Sequence, residues 1–68
     1  MKYILFIFDK YKPNGGYDDI ALLGDSVDML EKYSHKRVGQ YPKDRVYVSQ
    51  IFDIKQAKLV GEFEYNGK

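Results

Sequence analysis

The sequence predicts an α+β domain of β-α-β-β order, with one helix packed on one face of a three-stranded sheet in a two-layer arrangement. Three observations carry this. The chain opens on an aromatic and β-branched run, "KYILFIFDKY" over residues 2–11. A capped segment with helical apolar spacing lies at its middle. Two further apolar runs, joined by a short polar link, close it as a hairpin.

In the first run Tyr3, Leu5 and Ile7 fall on one side of the strand, and Ile4, Phe6 and Phe8 on the other. A strand apolar on both faces is buried on both or meets another molecule. So small a domain has little to cover two faces, which favours a self-associating or partner-binding sheet surface. Pro13-Asn14-Gly15-Gly16 is a turn, because proline presets φ while Asn and Gly accept positive φ. Leu22 and Leu23 are expected to fold back as a flap on the core. The helix starts at Asp25 or Ser26, either of which can cap it, with Asp28 in the first turn to suit the dipole. Val27, Leu30 and Tyr33 form its apolar stripe, bordered by Met29. His35, Lys36 and Arg37 sit where cations suit the last carbonyls, Gly39 ends the helix, and Tyr41-Pro42 marks the next loop.

The second strand is "RVYVSQIFDI", residues 45–54. Val46, Val48, Gln50, Phe52 and Ile54 share one face; Tyr47, Ser49 and Ile51 share the other. The third, residues 58–65, alternates Leu59, Phe63 and Tyr65 against Lys58, Val60, Glu62 and Glu64, a pattern buried on one side. Lys55-Gln56-Ala57 links the two as a hairpin, and Gly61 marks a bulge or a close approach to an aromatic neighbour. An all-antiparallel ladder with this third strand central is the preferred order. A right-handed crossover applies if the first two strands run parallel.

Sixty-eight residues make one domain, residues 1–68. A chain of that size buries only about 60% of the surface its unfolded form exposes, so disulfides, a metal or self-association usually support it. There is no cysteine and a single histidine, His35. Disulfides, thiolate zinc sites and multi-histidine sites within one chain are excluded, and nothing calls for a cofactor. Seven tyrosines and four phenylalanines are many for this length, and aromatics serve both cores and interfaces. A net charge of +1 suits neither an acidic DNA mimic nor a strongly basic nucleic-acid binder. The apolar run over residues 3–8 is too short for a signal-peptide core or a membrane span, which leads to the expectation of a cytoplasmic protein without membrane contact.

Catalytic chemistry finds little support. Ser26, Ser34 and Ser49 lack a nucleophile motif, and His35 reads as a solvated helix-terminal residue. Asp18, Asp19 and Asp25 do not follow the calcium-loop pattern of ligands at alternate positions closed by a glutamate. They read as turn and capping carboxylates. Phosphate-loop motifs are absent. Two surfaces remain. The first is the long connection over residues 12–24, where a strand-to-helix link ordinarily takes roughly two to six residues. Its turn is flanked by Tyr11 and Tyr17, residues that supply rigid amphipathic contact area. Tyr11, Pro13, Asn14, Gly15, Gly16, Tyr17, Asp18 and Asp19 are therefore the expected partner-binding residues. The second is a basic set with interleaved aromatics, Lys36, Arg37, Tyr41, Lys43 and Arg45, which would suit single-stranded nucleic acid.

"YKPNGGYDD" after an aromatic strand, "DSVDMLEK" opening a helix and the closing "VYVSQIFDIKQAKLV" together resemble small bacteriophage-encoded early proteins. The resemblance covers most of the chain. The related pattern carries Thr-Gly or Asn-Gly before Lys-Leu-Val, whereas Gln56-Ala57 stands here, so a different turn type is expected. The resemblance implies a non-enzymatic host-takeover protein that binds a host bacterial protein and inhibits or redirects it by stoichiometric contact. No active site carries over. A nucleic-acid-binding module is the alternative, and a homodimer formed through the uncovered sheet face or an edge strand is expected alongside.

Overall fold

The computed structural model describes residues 2–11, 15, 19–42 and 44–66. Their order is β1 (Tyr3–Asp9), β2 (Ile20–Gly24), α1 (Val27–Val38), β3 (Val46–Asp53) and β4 (Lys58–Asn66). All strand pairs are antiparallel, in the order β2-β1-β3-β4.

This corrects the three-stranded expectation. The segment taken for a flap is a fourth strand, in which Leu22 and Leu23 pair with Leu5 and Ile4. Ala, Leu and Gly are weak strand formers. The free edge of β1, however, carries backbone groups that need partners, and Lys2 N–H donates to the Gly24 carbonyl at 3.1 Å. The strand order is corrected too. β3, not β4, lies inside the sheet, between β1 and β4. Its two edges are both paired, with β1 and with β4, and Val48 and Ile51 on its opposite faces are both buried. Lys58, Glu62 and Glu64 are exposed on β4 and suit an edge, where charge discourages stray pairing. β1 and β3 run antiparallel, so the parallel-crossover rule does not apply.

The helix forms where the sequence places it. Ser26 is the N-cap, and its Oγ accepts from the Met29 N–H at 3.3 Å. Gly39 closes the other end through its N–H to the His35 carbonyl at 3.1 Å. The helix covers the face of Leu5, Ile7 and Ile51, and these three with Leu30 form the buried core, flanked by Tyr3, Leu22, Val27, Tyr33 and Phe63. At the β3–β4 turn, the Gln56 N–H donates to Asp53 Oδ1 at 3.0 Å. Ala57 takes the left-handed conformation there, φ 53°.

One further correction concerns β4. Ile51 pairs with Gly61 while Phe52 pairs with Leu59, so Val60 is an extra residue, the bulge that Gly61 signalled. A one-residue insertion reverses the faces beyond it. Leu59 therefore lies beside Phe52 on the face away from the helix, not with Phe63 and Tyr65.

Candidate interaction surface

Alternation places Ile4, Phe6 and Phe8 of β1 on the side opposite Leu5 and Ile7, which the helix covers. The register brings Phe52, Gln50 and Val48 of β3 beside them, in that order. Leu23 joins from β2 across from Ile4, and Leu59, Glu62 and Glu64 join from β4. No described element lies over this face. Its three phenylalanines and Ile4 are half-buried by their sheet neighbours alone, and Leu23 and Leu59 are 40% and 46% exposed.

The face is divided. Ile4, Phe6, Leu23, Phe52 and Leu59 make an apolar half. Toward the far end of β1 the polar side chains pair among themselves. Gln50 Nε2 donates to Glu62 Oε2 at 2.6 Å, and Lys10 Nζ meets Glu64 Oε2 at 3.0 Å. The hydrogen bond to Glu64 holds the Lys10 ammonium above its ordinary pKa. Phe8 and Val48 floor a shallow trough of about 430 Å³ between these pairs. The arrangement offers flat apolar contact area with a charged margin.

The long connection is only partly described. Tyr11 is 73% exposed, and its N–H donates to Asp9 Oδ1 at 2.9 Å. Gly15 has φ 95° and donates its N–H to Asp19 Oδ2 at 2.9 Å. Asp19 is thus a buried turn carboxylate rather than a presented side chain. Pro13, Asn14, Gly16, Tyr17 and Asp18 lie outside the described residues, as does Lys43 of the basic set.

The structure brings together part of that basic set. The Arg37 Nε donates to the Tyr41 hydroxyl at 3.1 Å, and its NH1 group to the Tyr33 hydroxyl at 3.0 Å. These bonds, the one to Tyr41 foremost, push the Arg37 pKa further up. The Tyr41 ring packs on Tyr47, centroids 4.7 Å apart. Arg45 points instead to Asp9, 3.6 Å away, and with Tyr11 and Asp44 lines a cleft of about 280 Å³. Lys36 is exposed at the helix end. His35 is exposed as well, with one flank edge-on to the Tyr65 ring at 5.2 Å.

Among the described residues no group of three or more His, Asp or Glu side chains is placed to hold a metal ion. No helix among them is long and apolar enough to cross a membrane. Sequence reading had flagged β1 as two-faced. It missed Leu59, whose side the bulge decides, and Leu23, whose strand it did not see.

No curated protein and no solved structure gives a match to this chain. A family model described as bacteriophage T4 protein Y07C matches residues 3–62. That span runs from the first residue of β1 into β4 at Glu62 and so takes in the helix and part or all of every strand. The phage resemblance read from the sequence is thereby given a family: the chain belongs to the bacteriophage T4 protein Y07C family.

Proposed function

We propose that this phage protein acts in the host cytoplasm without catalysis, by stoichiometric contact with a host protein that it inhibits or redirects, and that the helix-free face of the sheet is its contact surface. The carrying observation is the cluster of Ile4, Phe6, Phe8 and Phe52 on a face that no described element covers. Completing the burial of one such side chain is worth about 1.5–3 kcal/mol at most. A few aromatic anchors near the centre of an interface can supply most of its affinity. The divided surface, apolar at one end and charged at the other, would also fix the orientation of the partner.

The nucleic-acid reading is supported less. Arg37 spends two donors on tyrosine hydroxyls, Arg45 is beside Asp9, and the Tyr41 ring packs at a tilt against Tyr47. Of the four described members of that set, three are thus engaged within the chain, and Lys36 is exposed. The test is a tagged pull-down from bacterial lysate, with and without nuclease, using wild type and Phe6→Ser, with circular dichroism to check folding. The expected result is one dominant host protein that survives nuclease and is lost with Phe6→Ser. Recovery that collapses with nuclease, joined to a mobility shift that weakens steeply with salt, would overturn it in favour of the nucleic-acid module.

A further inference from the structure

We infer that in the free protein the helix-free face is covered by a second copy of the chain, the two sheets stacked face to face about a two-fold axis running along the strands. The inference rests on that face being a contact surface, as proposed above, and adds what occupies it before a partner arrives.

Three observations point to a second copy. The first is the size of the core. Leu5, Ile7, Leu30, Val48 and Ile51 are the only described apolar side chains less than a tenth exposed. There is no cysteine to add a disulfide, and no metal-holding cluster stands among the described residues. Good packing or self-association is the remaining support for so small a domain, and so small a core favours the second. The second is area. With strand residues spaced by ~3.3 Å and strands by ~4.8 Å, the face measures about 23 by 19 Å. Two copies then bury on the order of 900 Å² in projection. Accessible area exceeds projection, which reaches the ~1,000 Å² that a specific interface needs.

The third is where the charges lie. Glu62 and Glu64 are confined to edge strand β4. An axis along the strands sets β4 of one copy over β2 of the other, and β1 over β3. Glu62 then meets the Ile20 end of β2 rather than its own counterpart, and Phe6 packs toward the partner's Gln50 and Phe52. An in-plane axis across the strands would instead lay β4 on β4, glutamates against glutamates. Aligned packing of two antiparallel sheets through their apolar faces is an established solution for such surfaces, and a two-fold contact is self-complementary.

The test is sedimentation velocity on the full chain over a hundredfold range of concentration. Wild type is compared with Phe6→Glu and Leu59→Lys. Leu59 is 46% exposed in the single chain, so its replacement leaves the fold intact even where Phe6→Glu does not. The expected result is twice the chain mass for wild type, and a dimer dissociation constant raised at least about tenfold by Leu59→Lys. A wild type that stays monomeric at the highest concentration overturns the inference. A dimer indifferent to both substitutions does so as well, since it places pairing at an edge strand. Capture of a host protein by a monomeric wild type would remove the dimer and keep the proposed function. A face-to-face dimer that captures nothing would do the reverse.

Discussion

Ser34 and Ser49 are both wholly buried between helix and sheet, yet their removal should act in opposite directions. The Ser49 Oγ has no hydrogen-bond partner among the described residues. It sits between Ile7 and Phe63, its cross-strand neighbours. An unpaired buried hydroxyl costs about 1–3 kcal/mol, and loss of one oxygen leaves too small a gap to offset that. Ser49→Ala is expected to stabilise by about 1 kcal/mol. Ser34 Oγ lies 2.9 Å from the Tyr65 hydroxyl, a bond worth about 1 kcal/mol. Alanine returns up to about 0.5 kcal/mol as the better helix former, and the half-buried Tyr65 can turn to solvent. Ser34→Ala is therefore expected to destabilise by about 0.5 kcal/mol. The assay is urea unfolding at one fixed protein concentration, with the midpoints compared at unchanged slope. For a domain of this size, ~1 kcal/mol corresponds to about 4–8 °C in melting temperature. Ser49→Ala should melt above wild type and Ser34→Ala below it. A Ser49→Ala protein that loses 1 kcal/mol or more would show that the hydroxyl is satisfied and would refute the reasoning.

Three further outcomes are expected. Ala57 holds φ 53°, a conformation that costs an L-residue about 1–2 kcal/mol. Ala57→Gly should stabilise by roughly 0.5–1 kcal/mol after the entropy of the freer unfolded chain is counted, read by the same unfolding curve. A β-carbon on Gly24 would stand 2.6 Å from Met29 Cε and 3.2 Å from Leu30 Cδ2; Gly24→Val should destabilise by about 1–3 kcal/mol, and thermal unfolding equal to wild type would contradict that packing. Glu64 raises Lys10 above its ordinary value of 10.5. The folded value exceeds the unfolded one, so the pair's contribution is complete below pH 10.5 and fades as pH climbs through the folded value. Glu64→Gln should return the Lys10 titration, followed by NMR, toward 10.5.

Local chemistry made much of this molecule legible. Ser26, Asp28 and Gly39 mark the helix because capping is decided within a few residues of chain. The two-sided apolar pattern of Ile4 to Phe8 marked β1 as a strand buried on both faces or open to another molecule, while which of its faces the helix covers is not legible in that run. What stayed hidden depends on contacts far along the chain. Residues 20–24 are a strand because β1 offers an edge, not because Ala-Leu-Leu-Gly prefers one. Gly61 hints at the bulge, but its place at Val60, which moves Leu59 to the other side of the sheet, is set by the pairing with β3. Asp19 reads from the sequence as a turn carboxylate and is one, but its particular partner, the Gly15 N–H, cannot be read from a run of polar residues.

The central place of β1 has a consequence for how the chain acquires its structure. Its two neighbours differ in their distance along the sequence: Tyr3 pairs with Gly24 on one side and with Asp53 on the other. During synthesis the hairpin with β2 can form early, but a two-stranded ribbon is marginal by itself. The pairing that completes the core waits until the chain has been made through β3. Closing so wide a loop is slow compared with helix formation. Folding should therefore be one cooperative event that waits until β3 has been made. In the interval before it, the phenylalanines and Ile4 of the nascent chain stand open to whatever the host cell offers, chaperones included.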